Sequence, residues 1–200
     1  METATKITFS RMICAPVFFI LYFLPVWFRQ FPIILPISVF VMLPLLVFGY
    51  FTDYLDGKYA RSHNQVSDFG KVFDPFADVC LNITVFLCLL LSGYMPGVIF
   101  LCIIYREISM TFVRVVAMQK GVTIAARKGG KVKTVIYIIS CLFALLIESS
   151  LRLGLFSAGD FPIPVSKFVS LALFILCLVL SYISFVDYLI SFRKVLIKKK

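Results

Sequence analysis

The chain has 200 residues, 61% of them hydrophobic and only 15% charged, with 20 Lys and Arg against 10 Asp and Glu for a formal net charge of +10. A soluble domain is roughly 45–50% apolar and about 25% charged, so water is a poor solvent for most of this surface and a bilayer takes its place. The cations flank apolar runs instead of forming a patch, which points to anionic lipid headgroups and argues against nucleic acid.

Taken in order, the apolar runs predict six membrane spans at roughly 8–28, 32–60, 72–93, 97–119, 131–152 and 163–191. Each is near the ~20 residues that a spanning helix needs. The third run is divided at Ser92, Gly93, Pro96 and Gly97, where a tight turn is expected. The first run is long, follows Lys6 and Arg11, and lacks a small-residue cleavage site, so it reads as a span and not as a cleaved signal. The fold class is therefore all-α, a polytopic six-helix bundle forming one domain over 1–200. Lys and Arg gather in the loops that are cytoplasmic if the amino terminus is inside, while the opposite loops hold Arg29 and Arg152, with Lys167 near the start of the last span. Both termini are expected in the cytoplasm.

Cys14, Cys80, Cys88, Cys102, Cys141 and Cys177 all lie in apolar runs without CxxC spacing and read as packing residues. His63 has no second histidine or cysteine near it and reads as a loop residue. The Lys198–Lys200 tail and the Arg127, Lys128 pair read as membrane-surface charges.

Between the second and third spans the sequence reads TDYLDGKYARSHNQVSDFGKVFDPFAD. On a helix Asp53, Asp56, Gly57, Ala60 and Arg61 share a face, and Gly70, Asp74 and Asp78 repeat that arrangement on the next segment. Pro75 is expected to begin the regular helix or to kink it. Antiparallel neighbours joined by a short loop bring the two aspartate pairs together. Four adjacent carboxylates repel one another unless a cation compensates them, and oxygen ligands suit Mg2+ or Mn2+, with room for two ions. Gly57 and Ala60 leave space for a pyrophosphate, Arg61 can contact its oxygens, and Gly70 lets the neighbouring helix approach. Asp68 lies off this spacing and reads as a boundary charge.

The pattern DxxDGxxAR, eight residues, then GxxxDxxxD resembles the signature of the CDP-alcohol phosphatidyltransferases at every defined position. Ser62 and Val79 depart from residues frequent beside that signature, which are basic. The resemblance implies that Asp53, Asp56, Asp74 and Asp78 are metal ligands, that Asp78 is also the general base, and that Asp56, Gly57, Ala60, Arg61 and Gly70 bind the CDP donor. It also implies a homodimer and a cytoplasmic active site, in a membrane taken to be the bacterial inner membrane.

The fourth span carries Arg106, Glu107 and Arg114, and the fifth opens on Gly130, Lys131, Val132, Lys133 and Thr134. Arg106 and Arg114 face the same way, whereas the neighbours Arg106 and Glu107 are expected on different faces. Arg106, Arg114, Lys131 and Lys133 suit an acceptor that is itself phosphorylated, because an uncharged alcohol leaves buried cations unmatched. The segments REISMTFVR and GGKVKT also resemble the family branch acting on glycerol 3-phosphate. The implied reaction moves phosphatidyl from CDP-diacylglycerol to sn-glycerol 3-phosphate. Other acceptors, such as inositol phosphate or serine, or CDP-choline with diacylglycerol, are alternatives of the same class. A cation transporter is the distant one, disfavoured because the carboxylates sit at the ends of the spans and no repeat is visible.

Overall fold

The computed structural model describes residues 3–63, 68–121, 128–157 and 160–197, with side chains described for 9–52, 73–121, 129–157 and 160–193. Six helices form: α1 (Thr3–Trp27), α2 (Ile34–His63), α3 (Asp68–Leu91), α4 (Gly97–Gln119), α5 (Lys128–Arg152) and α6 (Pro162–Ile197). Among the described residues there is no strand. The sequence boundaries hold to within about six residues, and the expected turn forms with Gly93 at φ 78°.

Five helices contain a window long and apolar enough to cross a bilayer: Phe9–Trp27, Ile34–Thr52, Phe73–Leu91, Gly129–Arg152 and Pro162–Arg193. The chain is an integral membrane protein. α4 is absent from that set because Arg106, Glu107 and Arg114 interrupt it, yet its 23 residues reach about 34 Å. It starts beside the end of α3 and carries Arg114 back to the cavity that the start of α3 also lines, so it traverses the same thickness as its neighbour. Its charges are tolerated because they face protein: Arg106 and Glu107 are buried.

Prolines are accommodated inside helices at Pro16, Pro25, Pro44 and Pro75. Pro75 does not start the helix: α3 runs continuously from Asp68 through it. Neighbouring helices and side chains can re-satisfy the carbonyl that a proline leaves behind.

Lipid gives little hydrophobic drive between helices, so close packing and polar contacts hold such a bundle. α1 packs on both α2 and α3, and α6 packs on α4 and α5. Phe86 of α3 meets Tyr137 of α5 and Phe174 of α6 edge-on at centroid distances of 5.1 and 5.7 Å. Tyr22 hydrogen-bonds Ser92 at 2.6 Å, and Tyr182 donates to the carbonyl of Cys102 at 3.1 Å. The six cysteines are free thiols, four of them buried, in keeping with packing roles. Outward faces carry Phe40, Phe112 and Phe168, each about 70% exposed, as lipid contact requires. Arg152 is not the loop charge its position suggested. It closes α5, pairs with Glu148 at 2.8 Å, donates to the Tyr22 carbonyl at 2.8 Å and lies over that ring at 4.1 Å.

α2 and α3 come together just before the aspartates. A Cβ on Gly49 would lie 3.0 Å from Leu81 Cδ2, so only glycine admits this approach without displacing leucine. One residue on, Tyr50 donates to Asn82 Oδ1 at 3.1 Å. Since the two helices run antiparallel, positions 53 and 56 of α2 lie at the levels of 78 and 74 of α3.

Candidate active site

Asp74 and Asp78 are one turn apart on α3, both partly buried, and line a cavity of about 350 Å³. Asn82, one turn further, also lines it and donates back to the Asp78 carbonyl at 2.8 Å. Across the cavity stand Arg106, Glu107 and Arg114 of α4, Lys131 and Lys133 of α5, and Tyr188 of α6. The sequence places a cationic acceptor pocket beside the aspartate site. The fold brings both sets into one chamber. Asp53, Asp56, Gly57, Ala60 and Arg61 lie on α2 and Gly70 on α3, but their side chains fall outside the described residues.

Local chemistry sorts the four cations. Arg106 donates from Nη1 to both Glu107 oxygens at 3.0 and 3.1 Å and from Nε to the Ser181 carbonyl at 3.0 Å. Arg106 and Glu107, expected on different helical faces, thus bond each other. A long guanidinium can curl along its own helix, and the α6 carbonyl fixes it there. Lys133 donates to Glu107 Oε1 at 2.8 Å, and Tyr137 donates to the same oxygen at 3.1 Å. Arg114 differs, since its Nε is buried without a hydrogen-bond partner among the described residues. Lys131 is exposed at the cavity mouth. Glu107 thus already balances part of the positive charge that the sequence reading left unmatched.

Arg11 was read as a flanking charge. It is 1% exposed and forms an ion pair from Nη1 to Asp78 Oδ1. A cation one turn inside the predicted span 8–28 is costly without a carboxylate partner, and that is the signal the sequence holds. Close α1–α3 packing, including the Phe9–Phe73 stack at 6.0 Å, delivers it. Tyr188 and Asn82 were also missed. Gly130 is what brings α5 against Tyr188: a Cβ there would stand 3.3 Å from the phenol oxygen.

The donor set fits a hard divalent cation. Asp74 and Asp78 offer carboxylate oxygens at one cavity wall, the ligand type that such a cation takes. Among the described residues no group of three or more potential ligands is present, and the side chains of Asp53 and Asp56 lie outside them.

A helical membrane bundle with carboxylates and cations facing one chamber at the end of its spans has the parts of a phosphate-transferring lipid enzyme. The family model for CDP-alcohol phosphatidyltransferase matches residues 1–190, and the chain belongs to that family, whose members are generally divalent-metal dependent. It is an enzyme of that class, a transferase of phospholipid biosynthesis. Among its relatives is a CDP-diacylglycerol–glycerol-3-phosphate 3-phosphatidyltransferase of Treponema pallidum, 41% identical over 152 residues, covering 76% of this chain and 69% of the relative. A Bacillus subtilis protein of the same name is 31% identical over 166 residues, covering 82% and 86%.

Proposed function

We propose that the chain transfers the phosphatidyl group from CDP-diacylglycerol to sn-glycerol 3-phosphate, giving phosphatidylglycerophosphate and CMP. The observation that carries this reading is the shared cavity, in which Asp74 and Asp78 face Arg106, Arg114, Lys131 and Lys133. The names of the relatives from Treponema pallidum and Bacillus subtilis support the same acceptor.

Asp53, Asp56, Asp74 and Asp78 would hold Mg2+ or Mn2+, with two ions as the expected number. The bound metal supplies positive charge to the donor's pyrophosphate and to the departing CMP. Gly57, Ala60, Arg61 and Gly70 form the donor side. The acceptor's primary hydroxyl oxygen attacks the phosphorus that bears the diacylglycerol, the bond from that phosphorus to the CMP oxygen breaks, and the hydroxyl proton passes to Asp78. Arg11 pairs with Asp78 Oδ1 and so holds this carboxylate at the cavity wall. The orphaned Nε of Arg114 and the exposed ammonium of Lys131 are the natural first contacts for the acceptor phosphate. The donor's acyl chains stay in the bilayer, and the cavity end of the bundle faces the cytoplasm of a bacterial inner membrane. A homodimer belongs to the same proposal, with part of the exposed phenylalanine face covered by the second copy.

The test is turnover of purified protein with CDP-diacylglycerol and a panel of acceptors: glycerol 3-phosphate, inositol phosphate, serine and glycerol. Glycerol 3-phosphate should be used and glycerol hardly at all. Equal use of the two would overturn the acceptor assignment. Arg114→Ala removes one charge-assisted contact, worth about 1.5–3 kcal/mol, so KM for glycerol 3-phosphate should rise roughly tenfold to a hundredfold. KM for CDP-diacylglycerol should stay near its original value.

A further inference from the structure

Glu107 is the one carboxylate among the described cavity-lining residues outside α3, and no step of the reaction uses it. Its side chain is 6% exposed, and it accepts hydrogen bonds from Arg106, Lys133 and Tyr137 at 2.8–3.1 Å. The outer ends of this network are fixed too. Arg106 is tied to the Ser181 carbonyl and lies 5.9 Å from the Phe185 ring centre. Lys133 lies 4.7 Å from the Tyr137 ring, and Tyr137 also hydrogen-bonds Ser181 at 3.0 Å. The carboxylate therefore joins α4 to α5 at the wall of the cavity, and Arg106 and Tyr137 extend the network to Ser181 of α6.

We propose that Glu107 is a positioning residue for acceptor recognition, pinning Arg106 and Lys133 so that a phosphate monoester meets two cations already held in place. Flexible side chains lose rotamer freedom when they clamp a ligand, and a cation preset by a buried partner has lost it beforehand. The ammonium of Lys133 has three donors, and Glu107 takes one, so the remainder are available to phosphate. Arg114 and Lys131 form the adaptable half of the pocket, because no ion pair to Glu107 restrains them. Glu107 also lowers the charge of the chamber: four cations less one carboxylate leave three positive charges on the acceptor side, still enough to attract a phosphate dianion. This inference rests on the reading of the cavity as the acceptor site.

The experiment is a double-mutant cycle on the full chain in detergent micelles, with glycerol 3-phosphate varied at saturating CDP-diacylglycerol and metal. Glu107→Gln and Lys133→Met should each raise KM for glycerol 3-phosphate about tenfold or more, following the loss of one charged hydrogen bond. Together they should be no more than about twofold worse than Glu107→Gln alone, since the second change removes a cation already released. KM for CDP-diacylglycerol should move less than about twofold throughout, which a general loss of structure would not allow. Independent, multiplying effects would overturn the proposal, as would an unchanged acceptor KM in Glu107→Gln. If Glu107→Gln fails to fold, Glu107→Asp keeps the charge on a shorter arm and should still raise the acceptor KM, and no change there would be equally fatal. Arg114→Ala separates the two readings. A raised acceptor KM in Arg114→Ala with none in Glu107→Gln sinks only the role of Glu107, whereas no change in Arg114→Ala removes the acceptor pocket and this inference with it.

Discussion

Asp78→Asn should lower turnover by about 10²–10⁴-fold, the usual contribution of a positioned general base. Asparagine keeps the size of the side chain and one oxygen for a metal, but it cannot take the acceptor's proton. Equilibrium binding of a fluorescent CDP-diacylglycerol should survive, because Asp53, Asp56 and Asp74 remain. Asp78 also pairs with Arg11, so thermal unfolding must accompany the kinetics. Breaking a buried pair can cost about 3–5 kcal/mol, but Asp78 is 35% exposed and the cost here should be smaller. A folded variant that binds donor and does not turn over places the loss in chemistry. Turnover at the original rate would remove Asp78 as the base.

Rigorous chelation with EDTA should reduce activity by more than about 10³-fold, with recovery on adding Mg2+ or Mn2+. Loss of a single stabilising donor at a developing charge already costs about 10²–10³-fold, and a metal site supplies several units of charge. The cations facing the cavity are not a substitute. Arg106 and Lys133 are engaged by Glu107, and Arg114 and Lys131 are assigned to the acceptor phosphate. Full turnover after chelation would show that the carboxylates serve some other purpose. Asp56→Asn, which removes a proposed ligand on the donor side, should weaken both CDP-diacylglycerol binding and the response to added metal.

The two tests bear on sites that were legible to different degrees. Asp74 and Asp78 could be read as a pair because their spacing is one helical turn, and helical periodicity is a local property. The apolar runs likewise marked the six helices, since a segment in hydrocarbon must satisfy its own backbone hydrogen bonds. Arg11 could not be read as the partner of Asp78, because 67 residues separate them and only the packing of α1 on α3 joins them. The nearest hint is the cost of a cation one turn inside the first predicted span.

The acceptor side shows the same division within a few residues. Position announced Arg106 and Arg114 as cations that the membrane tolerates only facing a polar cavity, with Lys131 and Lys133 entering from the adjacent loop. Their differing roles depend on where one carboxylate reaches. Glu107 was assigned to a separate face from Arg106, and in the fold it binds both Arg106 and Lys133 while the Nε of Arg114 is buried without a partner among the described residues.

The sequence by itself therefore determined the solvent, the helices, the fold class and the residue types of the chemistry, all of which follow from apolar length and helical spacing along one segment. Tertiary structure alone decided which charges meet. Gly49 admits α3 beside α2, Gly130 admits Tyr188 beside α5, and α4 turns its charges inward. Ion pairing depends on distances of about 3 Å between side chains far apart in the chain, and only the packed bundle sets those distances.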